Sequence, residues 1–128
     1  MNRIVLDASA ILAILNREPG ASALTPELLS GAVCSAVNAS EVHGKLVSLG
    51  LPPREAWEAA LSPVQEIIDF NAEHARTAGE IVKRTRRYGL SLGDRACLAL
   101  GLALNAPVYT ADRLWKQIKL GVRIHVIR

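Results

Sequence analysis

The sequence predicts an α/β fold, a largely parallel sheet covered by helices on both faces, and three observations lead to it. Short apolar runs of strand length alternate with helical segments along the whole chain, the pattern of repeated β-α-β units. Pro19-Gly20, Gly50 with Pro52-Pro53, and Gly89 punctuate that alternation, where such residues stop helices and turn the chain. At 128 residues, 50% hydrophobic and only 4% aromatic, the chain suits one domain with a close-packed core of Ala, Leu, Ile and Val. Residues 1–128 therefore read as a single unit, with no repeat, low-complexity tract or linker.

Ile4-Val5-Leu6 is a continuous apolar run, predicted as a buried strand that ends at Asp7. A helix follows from Ala8 to Asn16, stopped by Pro19-Gly20. Ala32 to Ser35 is the second strand, Asn38 to Leu49 a helix, Arg54 to Leu61 another helix, and Val64 to Phe70 a third strand centred on Ile67 and Ile68. A longer helix is expected over Ala72 to Tyr88, with small residues on one face and Glu80, Lys83, Arg84 and Arg87 on the other. Ser91 to Asn105 is apolar on every side after Arg95, so it should be a buried helix. Pro107 to Thr110 forms a strand, Arg113 to Ile118 a short helix and Val122 to Ile127 the last strand.

Charge is unevenly spread. Met1 to Ala75 holds four basic and nine acidic residues, whereas Arg76 to Arg128 holds eleven basic and three acidic ones. With four carboxylates neutralised by metal, fifteen basic residues would face eight acidic ones, a balance that suits a polyanion. Cys34 and Cys97 sit alone in apolar surroundings and read as reduced core residues of a cytoplasmic protein. The apolar stretch from Ile4 to Leu15 is broken by Asp7 and Ser9 and falls short of the ~20 residues a membrane span needs. No signal peptide is evident.

Four carboxylates carry the chemistry. Asp7 interrupts an apolar run, where an unpaired carboxylate is costly to desolvate; it either caps the helix after it or holds a cation. Ser91-Leu92-Gly93-Asp94 matches a capping box, so Asp94 has a structural reading too. Asn38-Ala39-Ser40-Glu41 resembles a cap, with Lys45 placed to pair with Glu41, and Asp112 can cap the short helix that follows it. Convergence favours a site: four acids at strand-to-helix transitions should meet at one rim of a parallel sheet, where ligands bind. Clustered carboxylates need cations, and an oxygen-only set suits Mg²⁺ or Mn²⁺ rather than zinc. Such ions support phosphodiester hydrolysis.

These residues resemble those of PIN-domain ribonucleases, specifically VapC-type toxins of type II toxin–antitoxin pairs. The likeness spans essentially the whole chain and rests on Ile4 to Leu12, Glu18-Pro19-Gly20, Ser40-Glu41-Val42, Leu90 to Ala99 and Val108 to Asp112. It diverges over Ala21 to Ala32. The resemblance implies a three-layer α/β/α sandwich with an acidic Mg²⁺ or Mn²⁺ pocket at Asp7, Glu41, Asp94 and Asp112. Ser9 and Thr110 would supply supporting hydroxyls. It also implies a homodimer and a VapB-like antitoxin. Asp7, Asp94 and Asp112 are expected to hold the metal, and Glu41 to orient water or assist proton transfer.

Other constellations are weaker. His43, His74 and His125 share no motif with a Ser or Cys nucleophile, and no phosphate-binding loop is present. Trp57 and Trp115 read as core or helix-contact residues. Lys83, Arg84 and Arg87 belong to the densest basic cluster, and Arg95 and Arg113 flank two of the acids; each is a candidate RNA contact or a solvated charge. RNA is the expected substrate. The alternatives are a silent RNA-binding or protein-interaction module, and a DNA nuclease of the same fold.

Overall fold

In the computed structural model, which describes residues 2–128, the first apolar run becomes the central strand β1 (Ile4–Leu6), buried at all three positions. Strands β2 (Ala32–Ser35) and β3 (Glu66–Ile68) lie to one side, and β4 (Val108–Thr110) and β5 (Ile124–Val126) to the other. The order is β3-β2-β1-β4-β5, with every neighbouring pair parallel. Alternation along β1 divides the interior. Ile4 and Leu6 join Ile11, Cys34, Val42 and Ala56 on one face, while Val5 joins Val33, Leu98, Val108 and Trp115 on the other. Helices α1 (Ala8–Leu15), α3 (Ala36–Ser48) and α4 (Pro53–Leu61) complete the first core. Helix α7 (Leu92–Leu104) completes the second, with α5 (Ala72–Glu80) packed on it. The predicted α/β/α layering is what the chain forms.

Connectivity positions the site. From β1 the chain steps outward through β2 to β3, then crosses to β4 on the far side of β1 and on to β5. The direction of winding therefore reverses between β1 and β4, and a crevice opens at the carboxyl ends of strands at such a switch point. Asp7 directly follows β1, and Asp112 lies two residues past β4. Close packing holds the far end of α7 against the start of β4: a Cβ at Gly101 would overlap a methyl of Val108.

Several elements differ from expectation. The helix predicted over Ala72 to Tyr88 is divided into α5, α6 (Val82–Thr85) and a 3-10 turn at Arg86–Tyr88. The Thr85 hydroxyl donates to the Ile81 carbonyl at 2.8 Å, a back-bond that bends helices. The segment 21–31, left unassigned by the sequence, contains a 3-10 turn at Ala21–Ala23 and α2 (Pro26–Leu29), which starts with Thr25 as cap and Pro26 in its first turn. Helix α3 begins at Ala36 rather than Asn38, because the Ser35 hydroxyl at the end of β2 accepts from the Val37 amide. The helix after Asp112 is a 3-10 turn, Arg113–Gln117, and β3 is shorter than predicted.

Candidate active site

Asp7 leaves β1 in an extended conformation and is buried, 3% exposed. Its Oδ1 accepts from the Ala10 amide and the Ser9 hydroxyl, each at 2.8 Å, and its Oδ2 accepts from the Thr110 hydroxyl at 2.6 Å. The capping reading is thus correct and incomplete, since two hydroxyls converge on the same carboxylate. With both hydroxyl protons given to Asp7, the hydroxyl oxygens accept from the next turn: Ser9 Oγ from the Ala111 amide at 2.9 Å and Thr110 Oγ1 from the Asp112 amide at 3.1 Å. Asp7 is thereby tied through Ser9 and Thr110 to the backbone that carries Asp112. Asp112 is exposed and caps its 3-10 turn through Oδ1, which accepts from the Leu114 amide at 3.0 Å.

Asp94 is half-buried in the first turn of α7 and closes a true capping box: its Oδ2 accepts from the Ser91 amide at 2.9 Å, and Ser91 Oγ accepts from the Asp94 amide at 3.2 Å. Glu41 comes from α3 and is exposed. It forms no ion pair with Lys45; its Oε1 accepts from the Asn38 amide at 2.9 Å instead. The same Asn38 nitrogen donates to the Gly93 carbonyl at 3.1 Å, which fastens α3 to the start of α7. Asn38 is 1% exposed, so the sequence reading of it as a helix cap misses a buried member of the site. The available signal was its spacing of three from Glu41 on one helix face. Its Oδ1 is buried and has no hydrogen-bond partner among the described residues.

The field at the site is negative. Burial pushes the Asp7 carboxyl up from 3.8 to about 6, against the lowering effect of its hydrogen-bond donors, and the charge of Asp94 adds to the rise. Burial also raises the Cys97 thiol, and the charges of Asp7, Asp94 and Glu41 raise it further. The charges of Asp7, Asp94 and Glu41 thus all act on the Cys97 thiol, and Asp112 is linked to Asp7 through the Thr110 hydroxyl. Among the described residues, none of the four acids is paired with a Lys or Arg. Both cysteines are free and buried, as expected of core thiols.

Residues 4–120 match the family model of the PIN domain. The chain belongs to the PIN domain family. This PIN domain is similar in structure to VapBC2 from Rickettsia felis, bound there to a DNA fragment of its promoter, with 21% identity, 98% of each chain covered and a TM-score of 0.75. DNA-bound VapBC from Salmonella typhimurium aligns at 20% identity over 100% of both chains, with a TM-score of 0.75. VapC20 from Mycobacterium tuberculosis, a sarcin-ricin loop cleaving toxin, aligns at 22% identity over 94% of this chain and 98% of its own, with a TM-score of 0.72. At these identities the likeness is one of fold. No curated protein sequence matches the chain.

The acids of the PIN domain suit a hard divalent cation, although no three carboxylate, imidazole or thiol groups among the described residues stand close enough to enclose one. A carboxylate offers about four acceptor directions. Asp7 spends three, and Glu41, Asp94 and Asp112 one each, so Asp7 keeps one direction on Oδ2 and each of the others an oxygen. Mg²⁺ retains several waters and can be held by as few as one or two carboxylates.

The five basic candidates of the PIN domain divide. Arg95 donates to the Ala78 carbonyl at 2.8 Å and clamps α7 to α5 instead of pairing with the neighbouring acid. Arg84 donates to the Lys119 carbonyl, which fixes the guanidinium without neutralising it. Arg87 lies over the Tyr88 ring, and Lys83, Arg87 and Arg113 are exposed. Replacing Arg84 and Arg87 with Ala is expected to weaken RNA binding and to flatten its log-log salt dependence by about 1.4, because fewer counterions are released. A filter-binding titration that returns an unchanged slope would make the pair ordinary solvated charges. The histidines have no catalytic arrangement: His43 contacts the Pro53 carbonyl and meets Trp57 edge-on, which joins α3 to α4 and leaves Trp57 40% exposed. Trp115 is fully buried in the core.

Proposed function

We propose that this PIN domain is a divalent-metal-dependent endoribonuclease and the toxin of a toxin–antitoxin pair. The observation that carries the reading is Asp7, a carboxylate buried at the switch point of the sheet with no cationic side chain beside it among the described residues. Burial makes the charge of a group so placed costly, and a bound cation would relieve that cost. Asp7, Asp94 and Asp112 would hold Mg²⁺ or Mn²⁺, and when bound the ion would acidify water and offset charge on a phosphoryl group. Ser9 and Thr110 keep both Asp7 oxygens aimed. Glu41, the acid best exposed beside α7, orients the attacking water and accepts its proton. Arg84, Arg87, Lys83 and Arg113 supply positive charge for the phosphate backbone.

The toxin reading is supported by the VapBC complexes to which the chain is similar, and a VapB-like antitoxin and a homodimer go with it. RNA is supported by the basic second half and by the RNA-cleaving toxin among its structural neighbours. We place the protein in the cytoplasm, in keeping with its two free thiols; no helix among the described residues is long and apolar enough to cross a membrane. The test is cleavage of RNA, single-stranded DNA and a small phosphate ester side by side. Cleavage of RNA is expected to vanish in chelator and to return with Mg²⁺ or Mn²⁺, and full activity in chelator would overturn the mechanism. Preference for DNA or the small ester would reassign the substrate, and binding of RNA without turnover would favour the silent module.

A further inference from the structure

We propose that Asn38 and Gly93 are positioning residues that together fix the Glu41 carboxylate beside Asp94. The inference rests on the proposed function only in giving Glu41 a catalytic task. Glu41 is exposed, and an exposed glutamate would ordinarily sample many rotamers. Here two features remove that freedom. The buried Asn38 amide donates to Glu41 Oε1 at 2.9 Å and to the Gly93 carbonyl at 3.1 Å. Reversing that amide would set its oxygen against two acceptors, so its orientation is fixed, and Oδ1 is left without a partner in the interior as a consequence. Gly93 supplies the second feature. A Cβ built there would overlap Oε1, Cδ and Oε2 of Glu41, so the space of the missing side chain is filled by the carboxylate.

The arrangement is local to the chemistry. Gly93 precedes Asp94 in the first turn of α7, and the Asn38 bridge joins the helix that carries Glu41 to the helix that carries Asp94. A glycine here has no helical advantage, since alanine is the better helix former. Nothing in the backbone demands it either, because Gly93 lies outside the left-handed region. Room for Glu41 is the remaining reason for a bare Cα at this place.

Two variants and two readouts test it. Gly93→Ala keeps the capping box and should unfold at an unchanged or higher temperature, because the overlap falls on the end of a flexible side chain. Asn38→Ala removes the amide donor and may be combined with Glu41→Gln. Each single change is expected to lower kcat by about tenfold to a hundredfold with KM little altered, the effect of misplacing a group by about 1 Å. In the Glu41→Gln background neither should lower it further, whereas loss of fold alone would act in both backgrounds. Independently of turnover, the side-chain carboxyl carbon of Glu41, assigned by its disappearance in Glu41→Gln, should shift in carbon NMR spectra of both variants without metal. A resonance that stays in place in both would overturn the cradle, and unaltered kcat in Gly93→Ala with Glu41 displaced would overturn its positioning role in catalysis. If the unmodified chain cleaves no RNA, the proposed function fails, and the resonance still decides whether Asn38 and Gly93 hold Glu41.

Discussion

Replacing Asp7 with Asn is expected to give a protein that is more stable at pH 7 without metal, yet inert toward RNA. The Asp7 carboxyl rises from 3.8 to about 6 on folding, chiefly by desolvation. The folded state therefore holds this proton more tightly than the unfolded chain, and its contribution is full below about pH 4, falls as pH rises through about 6, and is flat above that. Two pH units correspond to about 3 kcal/mol at most. An Asn side chain carries no charge to desolvate, and its oxygen can still accept from the Ala10 amide, so capping survives. Ser9 can still donate to that oxygen, and the amide nitrogen, in the place of Oδ2, can donate to the Thr110 oxygen once that hydroxyl turns. Urea unfolding at several pH values should show a slope between pH 4 and 6 in the unmodified protein and little slope in Asp7→Asn. Mn²⁺ should stabilise only the unmodified protein, by mass action on the folded state. A flat profile without the substitution, or an Asp7→Asn protein that cleaves normally, would remove Asp7 from the site.

Elements whose signals are local were legible in the sequence. Ile4-Val5-Leu6 reads as a buried strand because no surface strand tolerates three apolar neighbours, and Ser91 to Asp94 reads as a helix start because a capping box is a short-range device. What escaped depends on partners far along the chain. Asn38 and Ser35 are both good caps, and Ser35 wins because β2 ends there on its pairing with β3. That leaves Asn38 in the first turn of the helix, free to reach Gly93. Arg95 looks like a neighbour of Asp94 in sequence, but the guanidinium turns to a carbonyl on α5. The division at Ile81 has a residue-level cause, Thr85, that a periodicity argument averages away. The strand order was equally hidden. Alternation of elements implies parallel strands, whereas the placement of β4 beside β1, which makes the switch point, follows from the crossover after β3. The short helix α2 carries a local signal of its own, Thr25 as cap followed by Pro26 in the first turn.

Asp94→Asn separates the structural and catalytic readings of an acid that has both. Its Oδ2 closes the capping box by accepting from the Ser91 amide, and the oxygen of an Asn side chain can do the same. The change therefore keeps size, shape and cap while deleting one negative charge, and Asn caps helices about as well as Asp. If capping were the whole role, folding and cleavage would both survive. Because Asp94 adds to the field that raises Asp7 and Cys97, its charge acts on the site and not only on its own helix. Cleavage is expected to fall by orders of magnitude, Mn²⁺ affinity to drop, and the unfolding transition to stay near that of the unmodified protein. RNA affinity measured without metal should hold level or rise, since one carboxylate no longer repels phosphate. That combination, weaker metal binding with equal or tighter RNA binding, is one that a damaged fold would not produce. A purified Asp94→Asn protein that cleaves RNA at the unmodified rate would return Asp94 to capping alone and leave the proposed metal site without one of its three carboxylates.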